Sequence, residues 1–110
     1  MGSYGHSTSV IANGGTTGTS IQTGCSSILA IEMPAAFTGA TLTFEGAHAK
    51  DGTYQQLVNS AGAAISLTAT AGKIIVLTQD QMFQLMSVEF LRPVSASAEG
   101  AERSLVFHMK

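Results

Sequence analysis

Alternation of apolar and polar residues with a period of two is the feature that most restricts the fold of this chain. In "ATLTFEG", Leu42 and Phe44 fall on one face, and the threonines and the glutamate around them fall on the other. Successive side chains of a β-strand point to opposite faces, so this is the pattern of a strand with one buried face. The run predicts a strand that covers a core with Leu42 and Phe44.

The same period recurs along the chain, and Gly, Asn, Ser and Pro separate the runs. Further strands are predicted in "SILAIEM", "TYQQLV", "AISLTAT", "KIIVLT", "LMSVEFLR" and "SLVFHMK". "KIIVLT" is apolar on both faces, which indicates either a central strand covered on both sides or a strand covered by a neighbour. About seven short strands with turn residues between them predict an all-β fold, an antiparallel β-sandwich or a jelly roll.

The period also predicts which side chains form the core. Leu29, Ile31 and Met33 share a face, as do Ile65 and Leu67 in a later run. The C-terminal run places Leu105, Phe107 and Met109 together. Phe90 is expected in the core with Phe44 and Phe107, which leaves Tyr4 and Phe83 as surface aromatics.

Two stretches do not fit a strand pattern. "TQDQMF" at 78–83 predicts a turn or one helical turn, with Asp80 as the capping residue. "RPVSASAEGAER" at 92–103 predicts a polar loop that begins near Pro93.

The N-terminal segment differs from the remainder in composition. Residues 1–26 are rich in Ser, Thr and Gly, and Glu32 is the first charged residue. Asn13-Gly14 is a strong turn signal, with strand-like pieces near 8–12 and 19–23. We predict an extended arm that includes a short hairpin, followed by a sandwich domain over 27–110; a disordered tail is the alternative.

Charge and length exclude several classes of protein. Charged residues are 11% of the 110 residues, against about 25% in typical soluble domains. The net charge of −2 and the lack of a basic stripe argue against a nucleic-acid partner. No apolar run reaches the roughly 18 residues that cross a bilayer. Low charge favours a protein packed against others; a monomer with a Ser/Thr-rich surface is the alternative.

No constellation of reactive residues is evident. His6, His48 and His108 are far apart in sequence, which argues against a shared metal site. The glutamates at 32, 45 and 89 are expected on polar strand faces. Cys25 has no basic neighbour and no cysteine partner, so it is expected to be a small, partly buried residue of a protein made in a reducing cytoplasm. We therefore expect no enzyme and no cofactor.

Several motifs in combination resemble a family of small virion proteins of tailed bacteriophages. They are "IANG", "ILAIEMPAAFTGATLTFEG", "DGTYQQL", "KIIVLTQDQMF" and the terminal "RSLVFHMK". The family has an apolar strand running into "MPAAFT" or "MPAAWT", an "LTF-x-GS-x-DGT" hairpin and an "LVLR"-like last strand. The likeness covers residues 10–110. The loop "GAHAKDGTY" and the N-terminal segment are longer than in the family.

The resemblance implies a β-sandwich cement or decoration protein on the capsid surface of a virion, assembled in the host cytoplasm. Its partners would be the major capsid protein and copies of itself, as a homotrimer that matches the threefold points of a capsid lattice. Candidate contact residues, each with core packing as its alternative, are Val10, Ile11 and Ile21 on the arm and Met82 and Phe83 in the turn.

Two other functions remain open at this point. A neck, tail or fibre component would use the same fold. A carbohydrate-binding module would need exposed aromatic residues, for which only Tyr4 and Phe83 remain, and the chain has no Trp.

Overall fold

Two antiparallel sheets form a β-sandwich, as the alternation predicts. The structure, a computed structural model, describes residues 4–24 and 26–110. Its strands are β1 (Gly5–Ile11), β2 (Ile21–Gln22), β3 (Ile28–Glu32), β4 (Thr41–Ala47), β5 (Gln55–Gln56), β6 (Ser66–Thr68), β7 (Ile74–Val76), β8 (Phe90–Ser95) and β9 (Arg103–Met109), and helix α1 (Gln79–Leu85) lies between β7 and β8. The jelly-roll variant of the sandwich remains a prediction.

The strand order places the two ends of the chain side by side. The first sheet has the order β1-β9-β3-β7, and the second has the order β2-β8-β4-β5, with β6 also paired to β4. β1 and β9 pair along their whole length, from Gly5 opposite Met109 to Ile11 opposite Arg103. Among the long strands, β9 also pairs with β3, and β4 pairs with β5, β6 and β8.

The core contains the side chains that alternation places inward on β4 and β9. Leu42, Phe44, Leu105 and Phe107 are fully buried, and Met109 is nearly so. This confirms the inward faces predicted for these two strands. Phe90 is only half-buried, because it lies on the outer side of β8.

A register shift in β3 changes the face predicted for one residue. Ile31 and Met33 are buried as expected, but Leu29 is only half-buried and Ile28 is buried in its place. The pairing of β3 with β9 shifts between Ile28 and Ala30, which is a β-bulge or a similar irregularity. An extra residue at such a site inverts the alternation on one side of it.

Of the two interpretations of "KIIVLT", the central strand is wrong, and cover by a neighbour stays a prediction. β7 is the last strand of the first sheet and pairs only with β3 among the described strands. Ile74 and Val76 are exposed, whereas Ile75 is half-buried and packs against the core. The apolar residues on both sides of this run therefore do not result from burial on both faces.

The polar loop predicted for 92–103 is partly a strand. β8 continues to Ser95, and Pro93 is buried opposite Phe44 of β4. The Pro93 carbonyl accepts a hydrogen bond from the Gly18 amide at 2.8 Å. Backbone groups of residue 93 therefore face the segment at 16–18, so the missing proline N–H removes no hydrogen bond from the β4 ladder.

The predicted helical turn is a seven-residue helix with a different cap. Thr78 is the N-cap of α1: its hydroxyl accepts from the Gln81 amide, and the Gln81 side chain accepts from the Thr78 amide. This reciprocal pair is a capping box. Asp80, the cap expected from sequence, lies in the first turn.

Residues 4–24, the described part of the predicted arm at 1–26, do not form a separate arm. Strand-like pieces near 8–12 and 19–23 are confirmed as β1 and β2, but each pairs with a sandwich strand, β9 and β8 respectively. Ile11 and Ile21 are core residues, and the buried Ser9 hydroxyl donates to the Thr19 carbonyl. Although β1 is mostly polar, the buried positions at Ser9 and Ile11 and the pairing with β9 make it part of the sandwich. Cys25 lies outside the described residues.

Candidate interaction surfaces

The candidate contact residues predicted from the sequence are not on one surface. Ile11 and Ile21 lie in the core, so they present no side chain to a partner in this fold. Val10 is half-buried on the outer side of β1. Met82 is partly buried against the core, and Phe83 on the same helix is 59% exposed. Core packing, the alternative, therefore describes Ile11 and Ile21 fully and Met82 in part.

The outer face of the first sheet carries a row of apolar side chains. These side chains point away from the core because Ser9, Ile31, Ile75 and Phe107, their neighbours in sequence, point inward. They come from all four strands of the sheet and are Val10 of β1, Val106 of β9, Ala30 of β3 and Ile74 and Val76 of β7. Val76 is 76% exposed and Ile74 is 55% exposed. Apolar exposure on this face therefore increases toward β7.

Polar groups lie among these apolar side chains. Glu32 and His108 approach each other at 3.1 Å between Oε1 and Nε2, and His6 is opposite His108 in the β1–β9 register. Within residues 4–24 and 26–110, no three His, Cys, Asp or Glu residues are grouped as metal ligands. The carboxylate and the two imidazoles therefore form a polar patch on a sheet face.

The outer face of the second sheet is polar by comparison. Arg92 donates from Nε to Oε1 of Glu45 at 2.7 Å, and its guanidinium lies 4.0 Å from the centre of the Tyr54 ring. Thr43 and Thr41 on β4 face Ser66 and Thr68 on β6. The two faces of the sandwich thus differ in chemistry, and the first sheet is the one suited to apolar contacts.

Helix α1 adds a second apolar surface. Leu85 is fully buried and fixes the helix to the core, while Phe83 and Met86 are exposed. Helices of this length are unstable alone. The capping box and the buried Leu85 are what hold Phe83 in place.

Glu99 is the buried charge that the sequence pattern did not indicate. Its side chain is 1% exposed. Oε1 accepts from the Thr38 amide and from Arg103 Nε, both at 2.9 Å. Oε2 accepts from the Gly39 amide at 3.0 Å and from Ser95 Oγ at 2.9 Å. Each carboxylate oxygen therefore has two donors, which uses its full accepting capacity.

These donors also determine the protonation state of Glu99. Burial by itself raises the pKa of a carboxyl group, but the hydrogen bonds from Thr38, Arg103, Ser95 and Gly39 outweigh that effect and lower the pKa to about 2. A strongly shifted pKa often marks a catalytic group. Here the carboxylate is enclosed and fully hydrogen-bonded, so it acts as a structural anion.

The backbone of Glu99 also makes hydrogen bonds to a distant segment of the chain. Its amide donates to the Gly15 carbonyl at 2.9 Å, and its carbonyl accepts from the Gly14 amide at 2.7 Å. One residue therefore joins the turn after β1, the loop before β4, the end of β8 and the start of β9. No local pattern in "SAEGAER" indicates this, because Thr38 and Gly39 lie about sixty residues away along the chain, and Gly14 and Gly15 lie farther still.

Two surface grooves are formed by residues of the described part of the chain. One groove of about 440 Å³ is lined by β6, β7 and the start of α1, including Leu67, Ile75 and Gln81. Another of about 410 Å³ is lined by Thr23, Val88 and Glu89 with their neighbours. The Thr23 hydroxyl donates to the Val88 carbonyl at 2.7 Å, and Glu89 accepts from Gln22. These polar groups hold strands together.

The described part of the chain has no helix long and apolar enough to cross a membrane. Comparison of the chain with protein-family models, with curated proteins and with solved structures found no match.

Proposed function

We propose that this chain is a non-enzymatic structural protein of a bacteriophage virion, which binds the shell of the major capsid protein as a cement. The phage assignment rests on the resemblance of "ILAIEMPAAFTGATLTFEG", "DGTYQQL" and "KIIVLTQDQMF" to small virion proteins. The structural role rests on the surface of the sandwich. The observation that carries it is the apolar exposure on α1, where Phe83 is 59% exposed.

Exposed apolar side chains on a protein of low charge favour association. Ile74, Val76 and Phe83 are each more than half exposed, and burial in an interface would remove their apolar area from water. Only 11% of residues are charged, so few charges would need partners in such an interface. Exposed apolar side chains and few charged residues are typical of a protein that functions as part of an assembly.

A cement function needs only modest contacts. Each copy would bind weakly to the shell, and the many copies on one particle would together resist expansion or loss of capsid subunits. Candidate contacts to the shell are Phe83 and Met82 on α1 and Val10 on the first sheet. Ile11 and Ile21 are left out, because they are needed in the core.

The first experiment measures the copy number of this chain in purified particles by quantitative mass spectrometry against the major capsid protein. A ratio near one to one supports the cement function. A ratio of a few per hundred contradicts it and assigns the chain to the neck, tail or fibre. Absence from particles overturns the virion assignment and leaves glycan binding through Tyr4 or Phe83 to be measured.

A second experiment locates the contact with a matched pair of variants. Phe83→Ser removes an exposed ring on α1, and Val58→Ser removes an exposed side chain in the loop between β5 and β6. We expect Phe83→Ser to lower attachment to particles stripped of this chain at least tenfold, and Val58→Ser to leave it unchanged. Equal attachment of both variants would remove α1 from the contact.

A further inference from the structure

The hydrogen bonds between β7 and β3 show which backbone groups of β7 have no partner. The Met33 amide donates to the Lys73 carbonyl at 2.9 Å and the Leu77 amide donates to the Leu29 carbonyl at 3.0 Å. Residues 73, 75 and 77 therefore direct their backbone groups toward β3. In an antiparallel pair the residues between them direct theirs the other way. The N–H and C=O groups of Ile74 and Val76 thus point to the open side of the sheet.

Intramolecular bonds close this edge at both ends. The Gly72 amide donates to the Pro34 carbonyl at 3.1 Å, and the Thr78 amide donates to Oε1 of Gln81 at 2.9 Å. Among residues 4–24 and 26–110, no hydrogen-bond partner is found for the backbone of Ile74 or Val76 on the open side. The groove of about 440 Å³ between β7 and β6 runs along the same strand. Two residues therefore form a short, uncovered edge.

Exposed strand edges are normally protected by a very short strand, by proline or charge on the edge, or by a bulge. β7 is short, with three residues, but it has no proline, charge or bulge within Ile74–Val76, and its outward side chains are the two most exposed large aliphatic ones among the described residues. The edge of β1 differs, because its C-terminal end is covered by the bridge between Ile11 and Gly18 and by the Thr19 amide bonded to the Val10 carbonyl.

We propose that β7 is a homodimer interface, in which β7 of a second copy pairs antiparallel with it across a twofold axis at Ile75. This register places Ile74 opposite Val76 of the second copy, and Val76 opposite Ile74. Both are hydrogen-bonded pairs, so the four free N–H groups and the four free C=O groups all find partners. The two first sheets become one continuous eight-stranded sheet.

The chain itself selects this register. Pairing Ile74 with its own copy would place Val76 opposite residue 72, and pairing Val76 with its own copy would place Ile74 opposite residue 78. Gly72 and Thr78 already use their amides within the chain. Only the register centred on Ile75 pairs every free group. It also places each exposed Ile74 side chain beside an exposed Val76 side chain, as a cross-strand apolar pair.

Charge does not oppose the pairing. Lys73 lies opposite Leu77 of the second copy, so the two Lys73 positions are four residues apart along the ladder, about 13 Å at 3.3 Å per residue. That separation exceeds the Debye length of ~10 Å in ordinary salt. The contact is small compared with the ~1,200–2,000 Å² of stable complexes. The dimer is therefore concentration-dependent.

The inference does not depend on the capsid assignment. It differs from the homotrimer expected from lattice symmetry, because a strand that pairs with its own copy gives a twofold contact. Sedimentation of the wild-type chain over a wide range of concentration separates the two. A monomer–dimer equilibrium supports the proposal, whereas a trimer, or a monomer at every concentration, overturns it.

Paired charges test the register. The variant I74K/V76K would place two lysines opposite each other at both cross-strand positions, so we expect its dimer dissociation constant to rise at least a hundredfold. The variant I74K/V76E would place Lys opposite Glu at both positions, and we expect recovery of at least tenfold relative to I74K/V76K. Equal dissociation constants for the two variants would contradict the register.

Hydrogen exchange of the wild-type chain provides a readout without substitution. The amides of Ile74 and Val76 should exchange fast in dilute solution and slowly at high concentration, while those of Ile75 and Leu77 stay protected at both. Concentration-independent exchange at Ile74 and Val76 overturns the proposal. If exchange at Ile74 and Val76 slows only when capsid shells are added, the partner of the β7 edge is the capsid protein. That result would overturn pairing with a second copy.

Discussion

Arg103 donates from Nε to Oε1 of Glu99 at 2.9 Å, and this ion pair lies where four segments of the sandwich meet. The Glu99 side chain is fully enclosed and that of Arg103 is mostly buried. Buried ion pairs add little net stability compared with apolar residues of the same shape, but breaking one leaves an unpaired charge in a site without water. The stability of this protein should therefore depend strongly on Glu99.

Glu99→Gln should destabilise the fold by about 3–5 kcal/mol, the usual cost of breaking a buried pair. The amide NH₂ would also face a donor, either the Thr38 or the Gly39 amide. Urea unfolding followed by circular dichroism measures the loss. Glu102→Gln is the matched control, because Glu102 is exposed three residues away. A loss of stability equal in the two variants would contradict the role assigned to Glu99.

Stability should fall as the pH is lowered from about 4.5 toward 2. The pKa of Glu99 is lowered in the folded chain from 4.5 to about 2, so between these values the unfolded chain binds a proton that the folded chain does not. The contribution is fully present above pH 4.5 and lost as the pH falls through the folded pKa. At ~1.4 kcal/mol per unit it amounts to about 3 kcal/mol. Urea unfolding at several pH values measures this slope, and Glu99→Gln should flatten it.

Gly39→Ala should destabilise the protein by roughly 1–3 kcal/mol, the usual range for an overpacked site. A Cβ on Gly39 would collide with Ser95 Oγ, the donor to Glu99 Oε2, and would lie 3.2 Å from the Ala96 amide nitrogen. Thermal unfolding measures the change. Gly100→Ala is the control, since a Cβ there meets no atom within 4 Å. If Gly39→Ala is as stable as Gly100→Ala, the site is less tightly packed than described.

Two neighbouring residues on β1 should separate folding from attachment. Ile11→Ala removes a fully buried side chain and should cost about 2–5 kcal/mol. Val10→Ala changes the outer face, so it should cost much less stability, and it should weaken attachment to capsids because Val10 is a proposed contact to the shell. Chemical denaturation and capsid cosedimentation measure the two effects. Ile11→Ala with wild-type stability would show that β1 does behave as a separate arm.

The depth to which the sequence predicts the fold varies from strand to strand. β4 and β9 were predicted with the correct inward residues, because each is a regular strand between partners on both sides and its alternation directly records burial. β3 departs at Leu29, where the register shift between Ile28 and Ala30 inverts the pattern. A shift of one residue in the pairing of two strands does not change the composition of either strand, so the sequence pattern does not indicate it.

The surfaces were less accessible to sequence reasoning than the strands. Phe83 and Tyr4 were predicted to be exposed, and both are. The sequence predicts Ile74 and Val76 either in a central strand or in a strand covered by a neighbour, since apolar side chains on both faces fit both arrangements. Their exposure follows from the position of β7 at the end of the sheet.

The sequence by itself determined that this protein is a β-sandwich, because a period of two over short runs allows few other ways to bury one face of each strand. It also determined the core positions of β4 and β9. Only the tertiary structure decided that β1 and β2 belong to the sheets, that Glu99 is buried among four segments, and that β7 has a free edge. Each of these depends on which distant segments pair, and hydrogen bonds between distant segments leave no local pattern in the chain.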